Sequence, residues 1–125
     1  MKILIVDDSL IIRRKIEREI DLPALTEIYT ATNGQEAVEI FEEEQPDLVT
    51  MDLTMPKMDG TECVKKLVAS NPDAVILVIS ALSDKATAIK AVKHGAYGFL
   101  CKPFTENDLN DALSKCIKFS QEIKG

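Results

Sequence analysis

Five side chains able to handle a phosphoryl group stand at the ends of apolar runs in this chain. Asp7 and Asp8 follow residues 3–6, Asp52 closes the run 48–51, Ser80 follows 74–79, and Lys102 follows 97–101. Singly, each has an ordinary reading: a helix cap, a strand end, a solvated lysine. Together they put an acid cluster, a hydroxyl and an ammonium at the ends of four runs. Three carboxylates brought close repel one another and tend to hold their protons unless a cation sits between them. Mg²⁺ suits such a place, because it takes one or two carboxylates, keeps several waters and accepts a phosphate oxygen. An Asp beside it can act as nucleophile toward phosphorus and form an aspartyl phosphate. Phosphoryl transfer needs its equatorial oxygens neutralised. Lys102 and the Ser80 hydroxyl are the groups for that.

The elements that position these residues can be read from periodicity. Residues 3–6 are continuously apolar, as in a central parallel strand covered on both faces. Ser9 opens a first helix with Ile12, Ile16 and Ile20 inward and Arg13, Arg14, Lys15 and Arg18 largely outward. Residues 27–31 are more polar and suit a sheet edge. Asn33 with Glu36 makes a capping-box-like start to a second helix with Ala37, Val38 and Phe41 inward. The strand ending at Asp52 is bounded by Pro46 and a loop containing Pro56 and Gly60. Gly60 leads into a third helix with Cys63, Val64, Leu67 and Val68 inward, stopped at Asn71-Pro72. After the strand 74–79, a fourth helix is expected to bury Ala88, Ile89 and Val92 and to end at His94-Gly95. The strand 97–101 follows. Thr105 and Asp108 then open a last helix with Leu109, Ala112, Leu113, Cys116 and Ile117 inward.

Five strands alternating with five helices imply a parallel sheet with right-handed crossovers, a three-layer α/β sandwich. Ligands bind such sheets outside the carboxyl ends of the strands, where all five side chains stand.

The 125 residues suit one domain spanning 1–125, with 46% hydrophobic and 29% charged residues. A net charge of −6 argues against nucleic acid or an anionic membrane as the main partner. No apolar run approaches the ~20 residues of a membrane helix, and the N-terminus lacks a signal-peptide core. Cys63, Cys101 and Cys116, on apolar positions, read as small buried thiols in a reducing cytoplasm.

The chain closely resembles the response-regulator receiver domains of two-component signalling, of the CheY-like kind, over its whole length. The resemblance rests on Asp7-Asp8, on Met51-Asp52 with Met55-Pro56, Met58-Asp59-Gly60, on Ser80-Ala81 and on Lys102-Pro103-Phe104. It implies a doubly wound (βα)5, flavodoxin-like fold with strand order 2-1-3-4-5, the order for which CheY is a standard example. It implies Asp52 as phosphoacceptor, with Mg²⁺ held by Asp8, by Asp7 chiefly through water, by Asp52 and by the Thr54 carbonyl. Lys102 contacts the phosphoryl group, its bond to Pro103 cis, and Ser80 is the switch hydroxyl. The aromatic switch position, often Tyr, is Phe99 here, which can act only by packing. Thr54 and Leu82 flank the path of a hydrolytic water. Neither offers an acid or amide there, so a long-lived phosphoryl group is expected.

The resulting expectation is a cytoplasmic, monomeric, stand-alone chemotaxis-type signalling protein, not an enzyme. A histidine kinase or histidine phosphotransfer protein would dock near Arg13 and Arg14. A protein target would bind the face of the fourth helix, fifth strand and fifth helix around Lys90, Tyr97 and Phe99. A receiver cut from a larger regulator, or a phosphorelay shuttle, is the alternative. A haloacid-dehalogenase-type phosphatase would need Asp-x-Asp after the first strand and a cap. A flavodoxin would need a Ser/Thr/Gly-rich phosphate loop where Asp7-Asp8-Ser9-Leu10 stands.

Overall fold

The computed structural model describes residues 1–53 and 60–124, Leu82 without its side chain. Five strands, β1 (Lys2–Val6), β2 (Glu27–Ala31), β3 (Leu48–Asp52), β4 (Val75–Ala81) and β5 (Gly98–Lys102), alternate with α1 (Leu10–Glu19), α2 (Gly34–Glu44), α3 (Gly60–Ser70), α4 (Lys85–Lys93) and α5 (Glu106–Lys124). A short 3-10 turn, Leu82–Asp84, joins β4 to α4. All strand pairs are parallel, in the order β2-β1-β3-β4-β5. This is the doubly wound order that the family resemblance implies, with the polar strand β2 at an edge.

Alternation along the strands divides the core into two layers. Leu4, Val6, Val49, Met51, Ile76 and Val78 pack with Phe41 of α2, Leu67 of α3 and Ala91 of α4. Ile3, Ile5, Leu48, Leu77 and Ile79 pack with Ile16 of α1 and Leu109 and Leu113 of α5. Each fully buried Leu, Ile or Phe among them contributes roughly 1.5–3 kcal/mol through burial.

The inward faces differ from expectation in places. On α4, Ala88 and Ala91 are buried, while Ile89 and Val92 are 43% and 36% exposed. The helix sits close to the sheet on small residues, which turns the larger apolar side chains outward. On α1 only Ile16 is fully buried; Ile12 and Ile20 are half-buried against the same core layer. Val38 and Val68 likewise lie at the core margin. Cys63 and Cys116 are buried, but Cys101, on an edge strand, is half-exposed.

The helix ends show how local chemistry fixes the frame. The Glu36 amide donates to Asn33 Oδ1 at 2.9 Å, as expected of a cap. The Glu36 carboxylate reaches the Thr32 amide at 3.2 Å, one residue before the cap. Thr105 and Asp108 form the reciprocal box, each amide donating to the other side chain at 3.0 Å. Asn110 of α5 donates to the Glu19 carbonyl and accepts from the Asp21 amide, both at 2.8 Å, tying α5 to the end of α1.

Candidate phosphoacceptor site

Strand register builds the site. Val6 pairs with Met51 and Asp52 with Ile79, so the first residue beyond β1 lies beside the last residue of β3. One carboxylate oxygen from each of Asp7, Asp8 and Asp52 falls within 4.8 Å of the others. Asp7 and Asp52 are buried, at 1% and 3% exposure, while Asp8 is exposed. Gly60 lets α3 begin against this strand end: a Cβ there would lie 2.5 Å from the Asp52 carbonyl oxygen and 2.4 Å from Leu53 Cα. No side chain fits in that space.

Asp7 is held from two sides. Its Oδ1 accepts from the Ser9 amide at 2.8 Å, and its Oδ2 accepts from Lys102 Nζ at 3.4 Å. Burial pushes the Asp7 carboxyl above the usual carboxylate range; the Asp52 charge adds to this, and the Ser9 amide and Lys102 oppose it. Lys102 Nζ also lies 3.8 Å from Asp52 Oδ1. The lysine therefore spans the two buried acids. The Lys102–Pro103 bond is cis.

Ser80 is on β4, next to β3, and is 1% exposed. Its hydroxyl has no hydrogen-bond partner among the described residues, an arrangement that costs energy unless a partner arrives. Phe99 stands on β5 and is 37% exposed. Thr54, with its carbonyl and hydroxyl, lies outside the described residues, as does the Leu82 side chain. The donor set fits a hard divalent ion: carboxylate oxygens alone, close enough to share one cation, with exposed Asp8 leaving room for water.

Arg13, expected to face outward, is half-buried, and its Nη1 donates to the Asp7 carbonyl oxygen at 2.7 Å. Arg14 is exposed, beside Leu10 and Ile11 at 50% and 79% exposure. Sequence reasoning missed both the inward turn of Arg13 and this apolar pair; the pair was visible as apolar residues off the Ile12–Ile16 stripe.

The family model for the response regulator receiver domain matches residues 3–114. The chain belongs to that family. This receiver is 41% identical to the chemotaxis protein CheY of Thermotoga maritima, over 94% of this chain and 98% of that one. It is 37% identical to CheY of Listeria monocytogenes, over 94% and 99%. Among solved structures, the REC domain of AraT, a response regulator from Geobacillus stearothermophilus, superimposes with a TM-score of 0.92 at 28% identity, covering 99% of this chain and 98% of that chain. The receiver is thus a response-regulator domain of two-component signalling, of the chemotaxis type represented by its full-length CheY relatives. Among the described residues, no helix is long and apolar enough to cross a membrane.

Proposed function

We propose that this receiver accepts a phosphoryl group on Asp52 from a phosphohistidine of a partner protein and changes its affinity for a target as a result. The observation that carries this reading is the meeting of Asp7, Asp8, Asp52 and Lys102 at one sheet edge. An oxygen of Asp52 forms the new P–O bond as the donor's P–N bond breaks, and that electron pair leaves on the imidazole nitrogen. Lys102 holds a phosphoryl oxygen and offsets its charge. Asp8, Asp52, the Thr54 carbonyl and, through water, Asp7 would hold Mg²⁺, which when bound neutralises the phosphoryl oxygens. The hydrogen bonds from the Ser9 amide and Lys102 Nζ to Asp7 support its outer place, since both its oxygens are already engaged.

The Ser80 hydroxyl, unpartnered among the described residues, is suited to turn toward a phosphoryl oxygen, and exposed Phe99 to follow by packing. The output face is then α4, β5 and α5. Lys90, Tyr97 and Phe99 are exposed there, and a groove of about 360 Å³ runs between β5 and α5, lined by Tyr97, Phe99, Asp111 and Lys115 among others. The phosphodonor face is the start of α1, with Arg14 and the exposed Leu10 and Ile11 as its contacts. Residues 1–125 act as one monomeric cytoplasmic receiver domain, with no turnover of a separate substrate. Thr54 and Leu82, which provide no acid or amide for a hydrolytic water, make the phosphoryl group long-lived.

Acetyl phosphate with Mg²⁺ should add one phosphoryl group to the wild type and none to Asp52→Asn, as read by intact mass. Full labelling of the variant would refute the assignment.

A further inference from the structure

We propose that Arg13 is a positioning residue for the divalent-cation site: its guanidinium, by holding the Asp7 carbonyl, sets the Asp7–Asp8 peptide from which the Asp8 carboxylate meets Asp7 and Asp52. This rests on the magnesium reading above. The hydrogen bond, Nη1 to the carbonyl oxygen, is 2.7 Å long, in the range of charge-assisted pairs. A peptide is planar, so fixing the C=O of Asp7 also fixes the direction in which the chain enters Asp8. Asp8 needs such outside help. It is exposed, and among the described residues no hydrogen bond holds its carboxylate, whereas Asp7 is gripped by Ser9 and Lys102.

The place of Arg13 favours this role over a solvated helix face. It lies in the first turns of α1, beyond the Ser9 cap. A cation is electrostatically disfavoured near that end of a helix, where backbone N–H groups point outward. Its backbone amide bonds the Ser9 carbonyl at 3.0 Å while its side chain reaches back past the cap to Asp7. Residues 7–13 therefore close into one bonded loop: Asp7 to Ser9, Ser9 to Ile12 and Arg13, and Arg13 to Asp7. Neighbouring Arg14 is exposed and takes no part.

Charge and geometry act oppositely here, which makes the role separable. Removing a positive charge near the site would by itself tighten Mg²⁺ binding; loosening the acid turn would weaken it. Arg13→Lys keeps the charge but loses the planar, longer fork. Isothermal titration of Mg²⁺ into the full chain should show Kd rising about five- to tenfold in Arg13→Lys, the equivalent of one net hydrogen bond. Arg13→Gln should also bind more weakly than wild type despite its lost charge, and Arg18→Gln, an exposed arginine in the last turn of α1, should match wild type. At saturating Mg²⁺, the maximal rate of labelling by acetyl phosphate should stay within about twofold, because only the approach of the cation is impaired. Unchanged affinity in Arg13→Lys, or tighter binding in Arg13→Gln, overturns the role of Arg13. So does a loss of affinity accompanied by a fall in Tm and in maximal rate, which marks a merely structural residue. A wild type that binds no Mg²⁺ overturns the magnesium reading itself, and this inference with it.

Discussion

Asp7 has its carboxyl group buried beside a second acid, with Lys102 as the cation spanning both. Its pKa is raised, so the protonated form is the one the fold prefers. The stability this provides is full below the ordinary carboxylate range and disappears as pH rises through the raised value. Above that value the ionised Asp7 destabilises the metal-free protein. Asp7→Asn keeps an acceptor for the Ser9 amide and removes the repulsion with Asp52. In metal-free buffer at pH 7 it should raise Tm by about 3–5 °C, corresponding to about 1 kcal/mol, and Mg²⁺ should then stabilise it less than wild type. Differential scanning calorimetry checks both, and a lower Tm in the metal-free variant would contradict the argument. The acid trio was legible in the sequence because the three Asp end two strands that the doubly wound order makes neighbours. The bonding of Arg13 to Asp7 was not, because outward spacing on a helix says nothing of where a long side chain folds back.

Asp47, just before β3, joins three elements. Its carboxylate accepts from the Lys2 amide at 2.9 Å and from Lys124 of α5. Burial works against its charge, but the Lys124 and Lys2 hydrogen bonds outweigh it and hold the pKa below its usual value. This contribution is present above the ordinary carboxylate range and is lost as pH falls through the depressed value. Asp47→Ala should speed amide exchange in the last turn of α5 while leaving α1 and α2 protected; uniform exchange across all helices would contradict that. Strand and helix order followed directly from the alternation of apolar runs. Faces were less legible where residue size decided closeness. On α4 the spacing of Ile89 and Val92 fits an inward stripe as well as that of Ala88 and Ala91, and only tight packing on the sheet selects the alanines. The end of α2 carried no glycine signal, because Gln45 takes the left-handed conformation, φ 50°, with its side-chain amide donating to the Phe41 and Glu42 carbonyls at 3.2 Å.

At the scale of the molecule, the parallel sheet sends Asp7, Asp8, Asp52, Ser80 and Lys102 to one edge. In the function proposed above, a phosphoryl group placed there would act on a donor face at α1 and a target face at α4, β5 and α5. The sequence order of Asp7-Asp8, Asp52, Ser80 and Lys102 made the edge legible. The faces depend on exposures that folding alone decides, such as those of Ile11, Tyr97 and Phe99. The proposed function turns on which atom takes the phosphoryl group. The direct measurement is to label the protein with acetyl phosphate and Mg²⁺, reduce it with borohydride, and map peptides by mass spectrometry, since the reduction converts an aspartyl phosphate to homoserine. Homoserine at position 52 alone is the predicted result. Homoserine at Asp7 or Asp8, or a phosphoryl group that survives reduction on Ser80, would contradict it.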